Sequence, residues 1–302
     1  MQISGGVVLS GGVNLAPGSG GSGGSGGGFQ GSNYGYASGA PLTPQSHIDK
    51  FSFTSDGNST NIGDLSVSRG YVAGQSSSVS GYTSGGSAPA LSNVIDKFPF
   101  AADANASDVG DLTIARYDSA GQSSSASGYT SGGIVSAFSN IIDKFSFSSD
   151  GNASDVGDLT ETRGRVAGQS STDNGYTSGK GTVIDKFSFS SDGNASDVGD
   201  LTVSRQSLAG QSSSVSGYNS GGDGGQSVID KFPFASDANA TDVGDLFQSR
   251  YAAAGQSSTA SGYTSGGNSS NTIDKFPFAS DSNATDVGNL SNSKPDCAGQ
   301  QY

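Results

Sequence analysis

The chain has 302 residues, 49 of them Gly, and only 32% of its residues are hydrophobic. Asp and Glu outnumber Lys and Arg by 27 to 14, so the net charge is −13 and nucleic acid is disfavoured as a partner. No segment approaches the roughly 18 apolar residues of a membrane-spanning helix, which argues against membrane insertion. With no signal peptide recognised at the start, we expect a soluble protein.

Residues 1–34 form the first predicted unit, a tether rich in Gly and Ser. Residues 18–28 contain only these two amino acids, a composition typical of a flexible linker. Before them, two short apolar patches, Val7–Leu9 and Val13–Leu15, are too small to build a core. Residues 1–16 are predicted either to dock on a larger protein assembly by adding a strand to it, or to form a plain disordered tail.

Residues 35–302 form the second predicted unit, an internal repeat with a period of 42–47 residues, the size of a four-stranded propeller blade. The motif Ile-Asp-Lys-Phe-Ser/Pro-Phe begins at Ile48, Ile95, Ile142, Ile184, Ile229 and Ile273. In chain order, each copy predicts a small Ala-Gly-Gln-Ser strand, a Gly-Tyr-x-Ser strand, the Ile-Asp-Lys-Phe strand, and a fourth strand over Val-Gly-Asp-Leu-Thr. No copy has helical periodicity.

The repeat region begins and ends with parts of one blade, and the part missing at its start is present at its end. Gly35–Gly39 matches a second strand that has no first strand before it, and Ala298–Gln300 matches a first strand that has no second strand after it. Pairing of the two would close a ring and leave no exposed sheet edge. We therefore predict an all-β, six-bladed β-propeller, closed by pairing of the C-terminal strand with the N-terminal blade, with an open β-solenoid as the alternative.

The order of Arg, small strand, Tyr-x-x-Gly-Gly, strand and Asp/Asn-rich turn resembles the kelch repeat. The diglycines that match are Gly85-Gly86, Gly132-Gly133, Gly221-Gly222 and Gly266-Gly267. Two copies depart from the pattern, with Gly39-Ala40 and Gly179-Lys180, and the kelch Trp is missing because the chain contains none. The resemblance implies a kelch-like β-propeller.

The segment Phe-Pro-Phe-Ala-Ser-Asp-x-Asn-Ala-Thr-Asp-Val-Gly-Asp-Leu is also similar to repeats in structural and tail-fibre-like proteins of marine bacteriophages. That resemblance implies a virion component, such as a fibre, decoration or appendage protein. It would make virion proteins the partners of residues 1–16.

The acidic turn after the third strand is the candidate metal site. In the second copy, Asp103, Asn105, Ser107 and Asp111 stand at relative positions 1, 3, 5 and 9, a spacing found in Ca²⁺ loops, and the other copies are similar. The same residue types also satisfy the backbone of an ordinary hairpin turn. The loop lacks a Glu at position 12, and position 6 is Asp108 instead of Gly. Ca²⁺ binding and turn chemistry are thus the two interpretations.

Catalysis is not predicted, and no catalytic residue is assigned. A Ser-His-Asp triad would have to use His47, the only His, which precedes the first Ile-Asp-Lys motif. Cys297 is the only Cys and is expected to be a buried small residue. The repeated Arg and Lys residues are expected to bridge blades, because a residue present in every blade is first a packing requirement.

The sequence thus favours a non-enzymatic structural or appendage protein that displays a propeller from an N-terminal anchor. The alternative is a lectin-like propeller that binds a surface glycan or a protein during host attachment. Binding specific to one blade is predicted in the loops between second and third strands, which differ between copies. These loops are residues Ser87–Asn93, Ile134–Asn140 and Asp223–Ser227.

Overall fold

The computed structural model describes residues 30–40, 46–87, 90–268 and 270–302, and every regular element in them is a β-strand. The strands form six antiparallel four-stranded sheets, whose innermost strands contact one another in a closed ring. The protein is therefore an all-β, six-bladed β-propeller, as predicted. Residues 1–29 lie outside the described residues, so the docking role of residues 1–16 stays a prediction.

In each blade, the strands follow one another from the axis outwards in the order named below. The first blade contains β24 (Ala298–Gln301), β1 (Tyr34–Ser38), β2 (His47–Ser52) and β3 (Thr60–Asp64). The second contains β4 (Ala73–Ser76), β5 (Ser80–Ser84), β6 (Val94–Pro99) and β7 (Ser107–Asp111). The third contains β8 (Ala120–Ser123), β9 (Ser127–Ser131), β10 (Ile141–Ser146) and β11 (Ser154–Asp158).

The other three blades repeat this order. The fourth contains β12 (Ala167–Ser170), β13 (Asn174–Ser178), β14 (Gly181–Ser188) and β15 (Ser196–Arg205). The fifth contains β16 (Ala209–Ser212), β17 (Ser216–Ser220), β18 (Val228–Pro233) and β19 (Thr241–Asp245). The sixth contains β20 (Ala254–Ser257), β21 (Ser261–Ser265), β22 (Thr272–Pro277) and β23 (Thr285–Asn289).

The fourth strand of the second blade begins earlier than the sequence predicts. We expected it over residues 109–113, whereas β7 begins at Ser107, which pairs with Lys97 of β6. An outermost strand is half exposed, so it accepts the polar Ser-Asp pair that reads as turn in the sequence. Leu112, just after the strand, is buried in the contact with the third blade.

The ring closes at the first blade by the predicted pairing of chain ends. β24 pairs with β1 from Ser38↔Ala298 to Gly35↔Gln301. Tyr302 extends this seam, because its N–H donates to the Tyr34 carbonyl at 2.8 Å. The C-terminal strand therefore occupies the innermost position that the N-terminal segment leaves open.

Glycine allows the six innermost strands to approach closely at the axis. A Cβ atom added to Gly74 would lie 2.3 Å from the Gly299 carbonyl oxygen, and one on Gly121 would lie 2.2 Å from that of Gly74. The next residue in each strand is a Gln that reaches the following blade: Gln75 Nε2 donates to the Tyr129 carbonyl at 3.0 Å. Small inner strands were predicted for this crowding.

Each pair of neighbouring blades encloses its own hydrophobic cluster. Tyr82 of the second blade stacks on Phe147 of the third, with ring centroids 4.9 Å apart, and also contacts Phe145. Ile95 and Leu112 complete this cluster. Equivalent clusters recur around the ring, so the core is a set of blade interfaces rather than one central mass.

The repeated Asp-Lys pair divides its charges between two partners, because adjacent strand residues face opposite ways. Asp96 is fully buried and pairs with Arg69 in the connection from the first blade, at 2.8 Å. Lys97 pairs instead with Asp150 of the third blade, at 2.9 Å. Both contacts join blades, as expected for these residues.

The alternating strand directions give the ring two different ends. The connections from second to third strands, and those from each blade to the next, lie at one end, which we call the mouth end. The turns from first to second and from third to fourth strands lie at the opposite end, the far end. No helix in the described ranges has the length and apolar character to cross a membrane.

Candidate functional site

Six residues surround the axis at the mouth end, one from each connection between blades, two positions before the innermost strand. They are Tyr71, Asp118, Arg165, Ser207, Ala252 and Asp296, and we call them the mouth ring. All six have left-handed backbone conformations, with φ between 52° and 59°. Side chains are strained there by about 1 kcal/mol each relative to glycine. This Gly-rich chain nevertheless places a side chain at every one of these positions.

The backbone of the mouth ring forms a closed circle of hydrogen bonds. The N–H of Asp118 donates to the Tyr71 carbonyl at 2.9 Å, and the N–H of Arg165 donates to the Asp118 carbonyl at 2.7 Å. The pattern continues through the other blades until the Tyr71 N–H donates to the Asp296 carbonyl at 2.7 Å. These bonds satisfy the backbone and fix the starting point of each side chain around the axis.

The mouth-ring side chains line a cavity of about 700 Å³, which we call the mouth pocket. Loops at the mouth end complete its wall. The added residues are Ser87, Tyr117, Asp223, Tyr251, Asn268 and Pro295. The ring of Tyr117 meets that of Tyr71 edge-on, with centroids 5.7 Å apart. A cavity of this size, with aromatic walls and a few converging polar groups, is typical of a ligand site.

Two carboxylates of the mouth pocket are partly buried. The side chain of Asp118 is 11% exposed, and burial raises its pKa to about 6 although Arg165 lies 3.5 Å away. Burial raises the pKa of Asp296 to about 7; the charge of Asp118 raises it further, whereas Arg165 opposes the shift. Burial and both carboxylates raise the pKa of Tyr71 as well. The pocket therefore holds groups that exchange protons near neutral pH.

The predicted variable loops contribute to this pocket in part. Ser87 and Asp223, the first residues of two of these loops, line it. The loop from Ile134 to Asn140 lies at the same end, where Phe138 receives the ammonium group of Lys180 at 3.8 Å from its ring centroid. Residues 88 and 89 of the first loop lie outside the described residues.

Sequence reasoning missed the mouth ring itself. Its members stand 42–47 residues apart and have no residue type common to all, since only Asp118 and Asp296 are alike, so they look like linker residues between repeated strands. The sequence did contain one signal for these residues, a variable position next to a constant strand. The position two residues before each Ala-Gly-Gln changes from copy to copy in charge and size, while the strand that follows is constant.

The structure places two of the four predicted Ca²⁺ ligands in contact with the preceding blade. Asp103 pairs with Lys50 at 3.0 Å, and Asn105 Oδ1 accepts the backbone N–H of Asp64 at 3.1 Å. Ser107 and Asp111 stand at opposite ends of the extended strand β7, roughly 13 Å apart at its usual rise per residue. The four side chains are thus not gathered around one point, and the Ca²⁺ expectation stays a prediction.

Two further residues singled out in the sequence lie elsewhere. His47 begins β2, with Nε2 3.9 Å from Asp64 Oδ1, and it does not line the mouth pocket. Cys297 is buried beside the axis, where burial raises the pKa of its thiol to about 12. Among the described residues, no group of three or more His, Cys, Asp or Glu side chains is placed to hold a metal ion.

Comparison with known proteins assigns no family to this chain: no family model matches it, and no curated protein has a matching sequence.

Proposed function

We propose that the protein is a non-enzymatic attachment protein, in which a propeller displayed from an N-terminal anchor binds its ligand in the mouth pocket. One observation carries the proposal. Six blades whose strands are nearly identical carry five residue types at the six mouth-ring positions, where they surround a cavity of about 700 Å³. Packing accounts for what the blades share, whereas recognition of an asymmetric ligand requires differences.

The position of Gln30 and Gly31 supports display. Gln30 lies at the far end, where its Nε2 donates to the carbonyls of Ser212 at 3.1 Å and Ser258 at 3.0 Å. Gly31 adds a backbone bond to the Ser257 carbonyl at 2.8 Å. Gln30, where the described residues begin, therefore lies at the end opposite the mouth pocket. An anchor attached there would leave the pocket facing outwards.

We also propose that the protein is a component of a virion. The order of the repeat is kelch-like, and its likeness to phage structural repeats favours a virion appendage, such as a tail fibre, whose residues 1–16 bind a virion protein. The pocket would then receive a glycan or a protein on the host surface.

Substitution at the two ends of the ring tests where the ligand binds. We compare Tyr251→Ser at the mouth with Val79→Ser at the far end, both with exposed side chains. The purified variants are applied to a glycan array and to host cells. We expect the mouth variant to lose at least about tenfold in affinity, roughly the value of one aromatic contact, and the far-end variant to bind normally. Equal binding by both would contradict the proposal.

Deletion of residues 1–28 tests the anchor separately. The shortened protein should melt as the full chain does and keep ligand binding, but it should no longer join a larger particle during assembly. Undiminished incorporation would refute the role of the N-terminal segment while leaving the binding role intact.

A second candidate function is acid–base hydrolysis in the same pocket. Two carboxyl groups with pKa values raised to about 6 and 7 are the groups that such a reaction needs. Incubation of array-positive glycans with the protein distinguishes the two functions. Shortened products that disappear with Asp296→Asn would establish hydrolysis, and intact glycans would favour binding alone.

A further inference from the structure

The mouth pocket carries more negative than positive charge. Asp118, Asp223 and Asp296 line it together with a single cation, Arg165. Two of the carboxylates have partners: Arg165 lies beside Asp118, and Gln206 Nε2 donates to Asp223 at 2.9 Å. Among the described residues no Lys, Arg or His nitrogen lies within ion-pair distance of the Asp296 carboxylate. With all three carboxylates ionised, the described lining residues carry two more negative than positive charges, and among them the Asp296 carboxylate is the one without a partner.

The walls around this carboxylate suit a cation. Asp118 and Asp296 follow one another around the circle with only Tyr71 between them, joined by its backbone hydrogen bonds. Tyr71, Tyr117 and Tyr251 supply aromatic rings, whose faces attract positive charge. A phosphate, sulfate or carboxylate entering the pocket would face two half-buried carboxylates, and a neutral sugar would leave their charge uncompensated.

We propose that the mouth pocket binds an organic ammonium group, held between Asp118 and Asp296 against the ring of Tyr71. The inference rests on the proposed function, since it assumes that the mouth is the binding site. It narrows the ligand to one that carries a protonated amine. A lysine side chain of a surface protein and an amino sugar of a surface glycan share this chemistry.

Proton competition gives the proposal a pH signature. An ammonium ion binds the ionised carboxylate, so protonation of Asp296 must weaken binding. With a pKa of about 7, the Asp296 carboxyl is only ~3% ionised at about pH 5.5. The affinity for the ammonium ion should therefore be up to ~30-fold lower at about pH 5.5 than at about pH 8.5. The charged or titratable groups that line the pocket are Tyr71, Tyr117, Asp118, Arg165, Asp223, Tyr251 and Asp296.

Titrations of the full-length protein followed by NMR test the inference with matched probes. Nα-acetyl-lysine amide carries the ammonium group, and its Nε-acetylated form has nearly the same shape without the charge. A glucosamine oligomer and the corresponding N-acetylglucosamine oligomer form the second pair, compared at about pH 7, where part of the glucosamine is protonated. We expect the charged member of at least one pair to bind tenfold or more tightly than the neutral one.

Variants locate the site. Asp296→Asn keeps the size of the side chain and should reduce ammonium binding at least tenfold and remove most of its pH dependence. Asp173→Asn is the control, because Asp173 is an exposed carboxylate in a turn at the far end. It should change neither property. The pair that binds identifies whether the amine comes from a protein or from a glycan.

The outcomes separate the inference from the proposed function. Equal binding of charged and neutral probes, absence of binding by both ammonium probes at millimolar concentration, or unchanged binding by Asp296→Asn would overturn the inference. If Tyr251→Ser still abolished attachment in those cases, the mouth would remain the binding site for another ligand class. If neither substitution affected attachment, both proposals would fall.

Discussion

Removal of residues 298–302 should open the propeller ring, because these residues form the only strand that joins the two chain ends. The truncation deletes four residue pairs between β24 and β1. It also deletes the bonds from the Gln300 amide to Ser38, Tyr82 and Thr83. At about 1 kcal/mol net for each of roughly ten hydrogen bonds, the loss is about 10 kcal/mol. That is comparable to the whole stability of an ordinary domain.

Thermal unfolding followed by circular dichroism measures this effect. For a protein of this size, about 10 kcal/mol corresponds to a fall in Tm of roughly 15 °C, if the truncated chain folds at all. Deletion of residues 1–28 is the matched control and should leave Tm unchanged. A synthetic peptide of residues 296–302 should restore part of the lost stability by occupying the vacant innermost position. A truncated protein that melts within about 2 °C of the full chain would refute the closure argument.

Three other perturbations follow from the described contacts. Asp143→Asn leaves the buried Arg116 without its anionic partner, and urea unfolding should show a loss of about 3–5 kcal/mol; a loss below about 1 kcal/mol would contradict this. The folded-state pKa of Asp296 is raised from 3.8 to about 7, so the folded protein binds this proton more tightly than the unfolded chain. Stability should therefore fall as pH rises from about 4 through about 7, and Asp296→Asn should flatten the Tm profile over that range; an unchanged profile would refute the assignment. EDTA should leave Tm unchanged because Asp103 and Asn105 already contact the preceding blade, and a Tm drop reversed by Ca²⁺ would contradict that expectation.

The acidic turn shows which contacts a spacing pattern along the chain leaves out. Its Asp and Asn residues stand at Ca²⁺-loop intervals along the chain, and the sequence offers no sign that their side chains turn towards another blade. In the structure, Lys50 and the backbone of Asp64 are their partners. A local pattern predicts a local site, whereas contacts between residues 41 and 53 positions apart depend on how blades pack.

The number of blades, the order of strands and the split first blade were determined by the sequence, because period and phase are properties of the chain itself. Ring closure was predictable from the complementary fragments at Gly35–Gly39 and Ala298–Gln300. The mouth pocket was decided only by the tertiary structure. Its mouth-ring residues come from six connections of different sequence, and they meet only because closure brings the start of every innermost strand to one axis. The proposed ligand site depends on residues that differ between the copies, whereas the repeat pattern in the sequence shows only the residues that the copies share.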